Sequence, residues 1–306
     1  MKHFKLSIKL ALATLASGVF FLTPVNAQQG DFDDVKIVAK HVAGRVSVLN
    51  GRGGNIAVFT GERHTLLVDD QFAPLTEKIV VAVKSLTANP IRFVVNTHWH
   101  GDHTGGNENL GKRGAVIVAH DNVHKRLSSD QFVAFFNKTV KATKDIGLPV
   151  ITFDDSLNFR LSGETIEVKF IGPAHTDSDS LVYFRDSNVL HTGDTYFAGR
   201  YPFIDTSTGG SAEGVIKALT MMINLADAET VVIPGHGPLS DRKGMEASRD
   251  MLFVINSRVK MAIAEGQTDE QIVSSQMTAD FDPLFGGGFV SGQTFLQLLC
   301  DSHRGH

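Results

Sequence analysis

The segment Thr97-His-Trp-His-Gly-Asp-His-Thr-Gly-Gly-Asn107 packs three imidazoles and a carboxylate, His98, His100, His103 and Asp102, into six consecutive positions. Each suits a borderline-soft divalent ion such as zinc, and four such groups exceed what one tetrahedral ion takes from one loop, so the segment points to two ions. Three more ligand types stand in equivalent places: His175 in Gly-Pro-Ala-His-Thr, Asp194 in His-Thr-Gly-Asp-Thr and His236 in Pro-Gly-His-Gly. Each lies a few residues past the C-terminal end of an apolar, strand-like run, as the first segment does. Loops at one edge of a sheet sandwich can converge on a point held by a rigid scaffold. A closed structural zinc site prefers thiolates, and this chain has the single Cys300. An open His/Asp site leaves a coordination position for water instead, and the chemistry that follows is hydrolysis.

The elements that must position these groups are readable in outline. Short β-rich runs at 35–39, 46–49, 55–60 and 64–68 alternate with Gly-marked turns and predict an antiparallel meander. Leu75, Ile79, Val83 and Leu86 recur at helical spacing before Pro90, and 91–95 is a buried strand leading directly into the His-rich segment. A strand at 115–119 precedes a helix starting at Asn122 and a helical or mobile stretch through Lys144. Strands are expected at 158–161, 165–170, 181–184, 189–191 and 230–233, and helices at 211–224 and 243–264. Two strand-rich blocks, each followed by helices, predict two packed mixed sheets with helices outside. The segment 267–292 gives no pattern, and its Phe285-Gly-Gly-Gly-Phe289 turn either caps the site or connects helices.

The 306 residues, 42% hydrophobic and 20% charged, suffice for one large domain. Residues 1–27 differ: Lys2, Lys5 and Lys9 precede the apolar run Leu10 to Leu22 and a Val25-Asn-Ala27 end, the pattern of a secretory signal peptide cut after Ala27. The run is too short to span a bilayer comfortably. The expected organisation is therefore a leader at 1–27 and a single domain at 28–306 with a C-terminal helical segment, secreted or periplasmic, with no membrane attachment after cleavage. Without the leader, 26 basic residues face 33 acidic ones, a net charge of -7, which disfavours nucleic acid as a partner and leaves a small-molecule substrate. Cys300 reads as a buried, inert thiol.

The order His-x-His-x-Asp-His, then His, Gly-Asp and Gly-His, resembles the metallo-β-lactamase superfamily, from about Asn55 to about Pro238. The resemblance implies an α/β (α+β) fold, a four-layer αββα sandwich of two mixed sheets, with a dizinc site at one sheet edge. It also implies that His98, His100 and His175 hold one zinc, that Asp102, His103 and His236 hold the other, and that Asp194 bridges both. A hydroxide held between the ions would attack a cyclic amide or ester, with Asp102 as the catalytic residue that orients it. An exported enzyme of this kind is well placed to meet β-lactams, the antibiotics that act on the cell wall. Asp194 stands where many dedicated β-lactamases carry cysteine, and Asp194 together with His103 resembles glyoxalase II and the lactonases. The activity expected is thus β-lactamase-like in a less specialised enzyme, with lactone, ester or thioester hydrolysis as the alternative and a metal-dependent binding protein without turnover as a further one. Ligand type leaves iron open beside zinc.

Around these ligands, Asp69 either accepts the outer N–H of a metal-bound imidazole or caps a turn, and Asp177 and Asp179 are similarly open. Gly101, Gly105 and Gly106 are expected to let the ligand loop approach the ions. Arg200 is the candidate cation for a substrate carboxylate, and Trp99 the candidate substrate contact, with Phe197, Tyr201 and Phe203 as a further apolar wall. His41, His64, His120, His124 and His191 are expected outside the site.

Overall fold

A computed structural model describes residues 32–304; the proposed leader lies outside the described residues. The first sheet has seven strands: β1 Val38–Ala43, β2 Val46–Asn50, β3 Ile56–Thr60, β4 Thr65–Val68, β5 Ile91–Asn96, β6 Val116–His120 and, after a short hairpin of β7 Gln131–Val133 with β8 Lys138–Val140, β9 Ile151–Phe153. The second has five: β10 Ser156–Leu161, β11 Glu164–Phe170, β12 Ser180–Phe184, β13 Val189–His191 and β14 Val231–Ile233. The β1 to β4 meander is antiparallel, whereas β5, β6 and β9 extend it in parallel. The second sheet runs antiparallel from β10 to β13 and ends in the parallel β13/β14 pair. Both sheets are therefore mixed.

Alternation along the strands explains the layering. One face of the first sheet, with Val46, Val48, Phe59, Leu66, Val68 and Val95, meets Val168, Val182, Phe184 and Ile233 of the second in one buried cluster. Phe59 and Phe184 stack across that interface at 6.1 Å. The opposite face of the first sheet buries Leu49, Val58, Leu67 and Val94 against Ile79, Val80 and Val83 of helix α1 (Thr76–Leu86). Short helices α2 (Gly101–Thr104), α3 (Asn107–Gly111) and α4 (Asp121–Leu127) follow. The outer face of the second sheet is covered by α5 (Ala212–Leu225), α6 (Arg242–Ala264) and, beyond the short α7 (Asp269–Val273) and α8 (Asp282–Phe285), α9 (Gly292–Arg304). The result is the expected αββα sandwich.

Helix starts follow their caps: the Ser211 side chain accepts from Gly214 N–H at α5, and that of Asp241 from Gly244 N–H at α6. The helix expected from Asn122 is α4, but the stretch beyond it, expected to be helical or mobile through Lys144, holds the β7/β8 hairpin, whose tip turns at Asn137 with φ +46. β7 and β8 are three residues each and bury only Val133 between them, so no continuous apolar run marks them as it marks the equally short, largely buried β13 and β14, and Asn is tolerated in the left-handed region. The opaque 267–292 segment contains α7, with a Thr268/Gln271 capping box, and α8. Among the described residues no helix is long and apolar enough to cross a membrane.

Candidate metal centre

All seven candidate ligands converge at one edge of the sandwich, because the loops that follow β5, β11, β13 and β14 leave the two sheets on the same side. His98, His100, His175 and Asp194 form one group, and Asp102, His103 and His236 a second, each offering ligand atoms that lie within 4.8 Å of one another. Asp194 stands between the groups. One carboxylate oxygen is 3.1 Å from His103 Nε2, and the other is 3.3 Å from His236 Nε2, 3.7 Å from His175 Nε2 and 3.9 Å from His98 Nε2.

Each of four imidazoles is oriented by a partner on its outward nitrogen. His98 Nδ1 meets Thr97 Oγ1 at 3.0 Å, His100 Nε2 meets Asp205 Oδ2 at 3.0 Å, His103 Nδ1 meets Asp69 Oδ2 at 2.8 Å, and His175 Nδ1 donates to the Phe203 carbonyl at 2.8 Å. The other nitrogen of each ring is thereby turned inward, and this is how ligating histidines are held in metalloproteins. His98 Nε2 is buried and has no hydrogen-bond partner. An orphaned imidazole nitrogen costs about 1–3 kcal/mol unless a cation or donor satisfies it. The donor set and the orphan nitrogen together fit a divalent ion.

Charge divides the two groups in the metal-free chain. Burial drives His98 well below the ordinary imidazole range, helped by His103, and burial with the charge of His100 takes His175 down to about 4. Burial also opposes a charged His236, but the Asp194 and Asp102 carboxylates override it and raise the ring to about 9; His103 is likewise raised. Burial would lift Asp102 and Asp194, yet His103 and His236 hold Asp102 at about 2 and Asp194 well below the carboxylate range. The carboxylates are thus already ionised, as ligands must be.

Asp69 plays both parts open to it: it turns the chain at φ +65, and its carboxylate accepts from Thr97 N–H, Thr97 Oγ1 and His103. Asp179 braces the His175 loop by accepting from Thr176 N–H and Oγ1, and burial pushes it up to about 7. Asp177 pairs with Arg126 at 2.7 Å instead. The five remaining histidines named above stay out of both groups; His191 is closed off by Asn55 O and Gly193 N–H, and His120 stacks on Phe170 at 3.8 Å. Gly105 and Gly106 allow the turn after α2 to pack against the backbone of Gln71 and Asp70, where a Cβ would come within 2.8 Å and 2.9 Å, while Gly101 faces open space. The smallness of Gly105 and Gly106 serves chain packing.

Trp99 requires a correction. Its side chain is 1% exposed and packs with Ala119, Val123, Leu127 and Val133, 4.8 Å from the His100 ring, so it backs a ligand and presents no surface to substrate. Tyr201 likewise turns away, stacking on Phe295 and donating to Asp282. Phe197 and Phe203 do border the site, the first stacked on His236 at 5.2 Å, the second 5.7 Å from His175. Arg200 is exposed, with its stem along Gly288, where a Cβ would sit 3.1 Å from it. Asp205 was not visible in the sequence pattern: it lies 105 positions from the ring it orients and belongs to no motif.

The family model of the metallo-beta-lactamase superfamily matches residues 49–236, which includes every one of these ligand positions. The metallo-beta-lactamase type 2 of Bacteroides fragilis is 25% identical over 58% of this chain and 64% of its own length. A hydroxyacylglutathione hydrolase of Nitrosococcus oceani is 28% identical over 58% and 60%. The chain spans a little over half the length of the curated relatives it matches first, 55–64%. A metallo-beta-lactamase structure from Pontibacter korlensis superposes with a TM-score of 0.57 at 20% identity, over 71% of this chain and 99% of that one, a likeness of fold. With the sandwich, the ordered ligand types and a matched segment that spans both sheets, the chain belongs to the metallo-beta-lactamase superfamily.

Proposed function

We propose that this chain is a dizinc hydrolase that opens cyclic amides or esters, β-lactams foremost, with lactones as the nearest alternative. The observation that carries the reading is the pairing of two ligand groups across one carboxylate, Asp194, with His98 Nε2 left without any other partner. When bound, the two ions supply Lewis acidity toward the carbonyl and a nucleophile drawn from water at neutral pH. His98, His100 and His175 would hold one, Asp102, His103 and His236 the other, and Asp194 both. Asp102 is the most open of the carboxylates, with a quarter of its side chain exposed, and at about 2 it is ionised at any working pH. It would therefore accept a hydrogen bond from the attacking water and fix its direction while remaining a ligand.

The proposed export of residues 28–306 supports β-lactams over glutathione thioesters, since the latter are cytosolic. Arg200, exposed beside Gly288, is the proposed partner for a substrate carboxylate. Zinc analysis combined with turnover of a chromogenic cephalosporin, an aliphatic γ-lactone and an acyl-glutathione tests the reading. Two zinc ions per chain and turnover of the β-lactam or lactone are expected. A zinc-loaded chain inert to all three would make it a binding protein, and turnover of the thioester alone would move it beside the hydroxyacylglutathione hydrolases. Asp102→Asn should lower kcat and kcat/KM together.

A further inference from the structure

Next to the His98/His100/His175 group lies an apolar surface that the ligand chemistry does not use. Phe203 sits 6.1 Å from the His100 ring and 5.7 Å from that of His175, and is nearly buried. Over it lean Phe135 at 4.9 Å and Phe136 at 5.8 Å, both from the turn at the β7/β8 tip, and Phe289 lies 5.8 and 6.0 Å from those two. These outer three rings are 41%, 45% and 67% exposed. Isolated exposed aromatics need no explanation, but three in mutual contact, brought from two segments about 150 positions apart, form a contiguous patch of the kind that binds ligands. The hairpin is anchored from behind: Val133 is buried with Trp99 in the same small cluster, and Trp99 in turn touches His100. The patch is therefore continuous with the ligand cage through Phe203 on one side and the Val133/Trp99 packing on the other.

We infer that Phe135, Phe136 and Phe289 form a clamp for an aryl or long alkyl substituent of the substrate, carried beside the scissile carbonyl on the His98/His100/His175 side. The inference rests on the hydrolase reading above and narrows it to substrates with a large apolar arm. The occupant is a small-molecule substituent because the patch adjoins the ligand cage and is only three rings wide. Arg200, whose stem lies along Gly288 next to Phe289, brings an exposed cation beside the same patch. A short polar acyl group would leave the three rings in water.

The test compares two β-lactams with one nucleus, bearing a benzyl or a methyl side chain, and two γ-lactones bearing a decanoyl or an acetyl arm. Burying one phenyl ring is worth about 10–30-fold. The wild type should favour the apolar-armed member of each pair by that factor in kcat/KM, mainly through KM. Phe135→Ser/Phe136→Ser/Phe289→Ser should lose the preference while keeping the rates on the methyl and acetyl members, and the corresponding Leu variant should restore most of it. A second readout needs no turnover: saturation-transfer NMR of 4-phenylbutyrate on metal-free protein should show contact with the wild type and the Leu variant but not the Ser variant. Circular dichroism confirms that each variant is folded. An apolar preference absent from the wild type, or unchanged in the Ser variant, overturns the clamp and leaves the hydrolase reading intact. If no substrate turns over, that reading falls and the 4-phenylbutyrate contrast alone decides the clamp.

Discussion

Asp205→Asn isolates what a positioning carboxylate contributes to this centre. Asp205 Oδ2 lies 3.0 Å from His100 Nε2, and His100 Nδ1 lies 3.0 Å from His175 Nε2, so the carboxylate decides which nitrogen of His100 faces the cage. Burial would raise Asp205, but the hydrogen bond and charge of His100, with the Ser207 and Thr208 hydroxyls, pull it down to about 2. The fall from the ordinary aspartate value of 3.8 to about 2 corresponds to roughly 2.5 kcal/mol of preference for the ionised carboxylate in this place. Asn retains an acceptor but removes the charge that makes His100 a better donor to a cation. The expected loss of zinc affinity is about 10–100-fold, roughly 1.4–2.7 kcal/mol, the range typical of such partners. The loop itself should survive, because the Asp205 backbone is fixed independently: its N–H donates to His175 O at 2.9 Å and its carbonyl accepts from Gly210 N–H at 2.9 Å. Zinc affinity is measured by competition against a chromophoric chelator, with circular dichroism to confirm the fold. Asp177→Asn, at a carboxylate paired with Arg126, serves as the control and should leave affinity unchanged. Equal zinc affinity in Asp205→Asn and wild type would refute the argument that this carboxylate orients a ligand.

Two further outcomes follow from close contacts and from charge. A Cβ at Gly235 would overlap the Asp194 carboxylate and lie 2.6 Å from Gly193 O, so Gly235→Ala should displace the shared ligand and cut zinc content toward one ion or none while the sandwich still folds; full zinc occupancy by mass spectrometry would count against the shared role of Asp194. His236 is raised from 6.5 to about 9, so in the metal-free chain it contributes stability that is complete below about pH 6.5 and lost as pH rises through about 9, on the order of 3 kcal/mol. The same proton competes with the cation, so zinc affinity should climb steeply across that window and level off above it. Thermal melts of the stripped protein and zinc titrations between pH 6 and 10 read the two trends, and parallel trends in place of opposite ones would sink this account.

The sandwich was legible wherever a strand was long enough to alternate or a helix long enough to repeat. The meander from β1 to β4, the α1 periodicity before Pro90 and the long runs of α5 and α6 all give several matching positions to a single period. The β7/β8 hairpin and β9 do not: each strand holds three residues of which at most one is buried, whereas the equally short β13 and β14 are largely buried apolar runs. Their stability comes from what they dock against: Val133 beneath Trp99 and β9 beside β6, which no local pattern reveals.

The site divides along the same line. Candidate ligands are marked by residue type and short spacing, so His98, His100, Asp102 and His103 announce themselves, and His175, Asp194 and His236, which the fold brings beside them, follow from their places after apolar strands. Orientation is a property of contacts made across the fold, and here it comes from Asp69 and Asp205, 34 and 105 positions away from the rings they hold. Trp99 shows the cost of reading such a neighbourhood by adjacency alone. Flanked by two candidate ligands, it looks like a substrate contact, yet the bend after β5 turns its side chain into the packing with Ala119, Val123, Leu127 and Val133. That packing anchors the hairpin through Val133, so the residue nearest the chemistry in sequence would act on substrate only through the proposed clamp of phenylalanines that the hairpin carries.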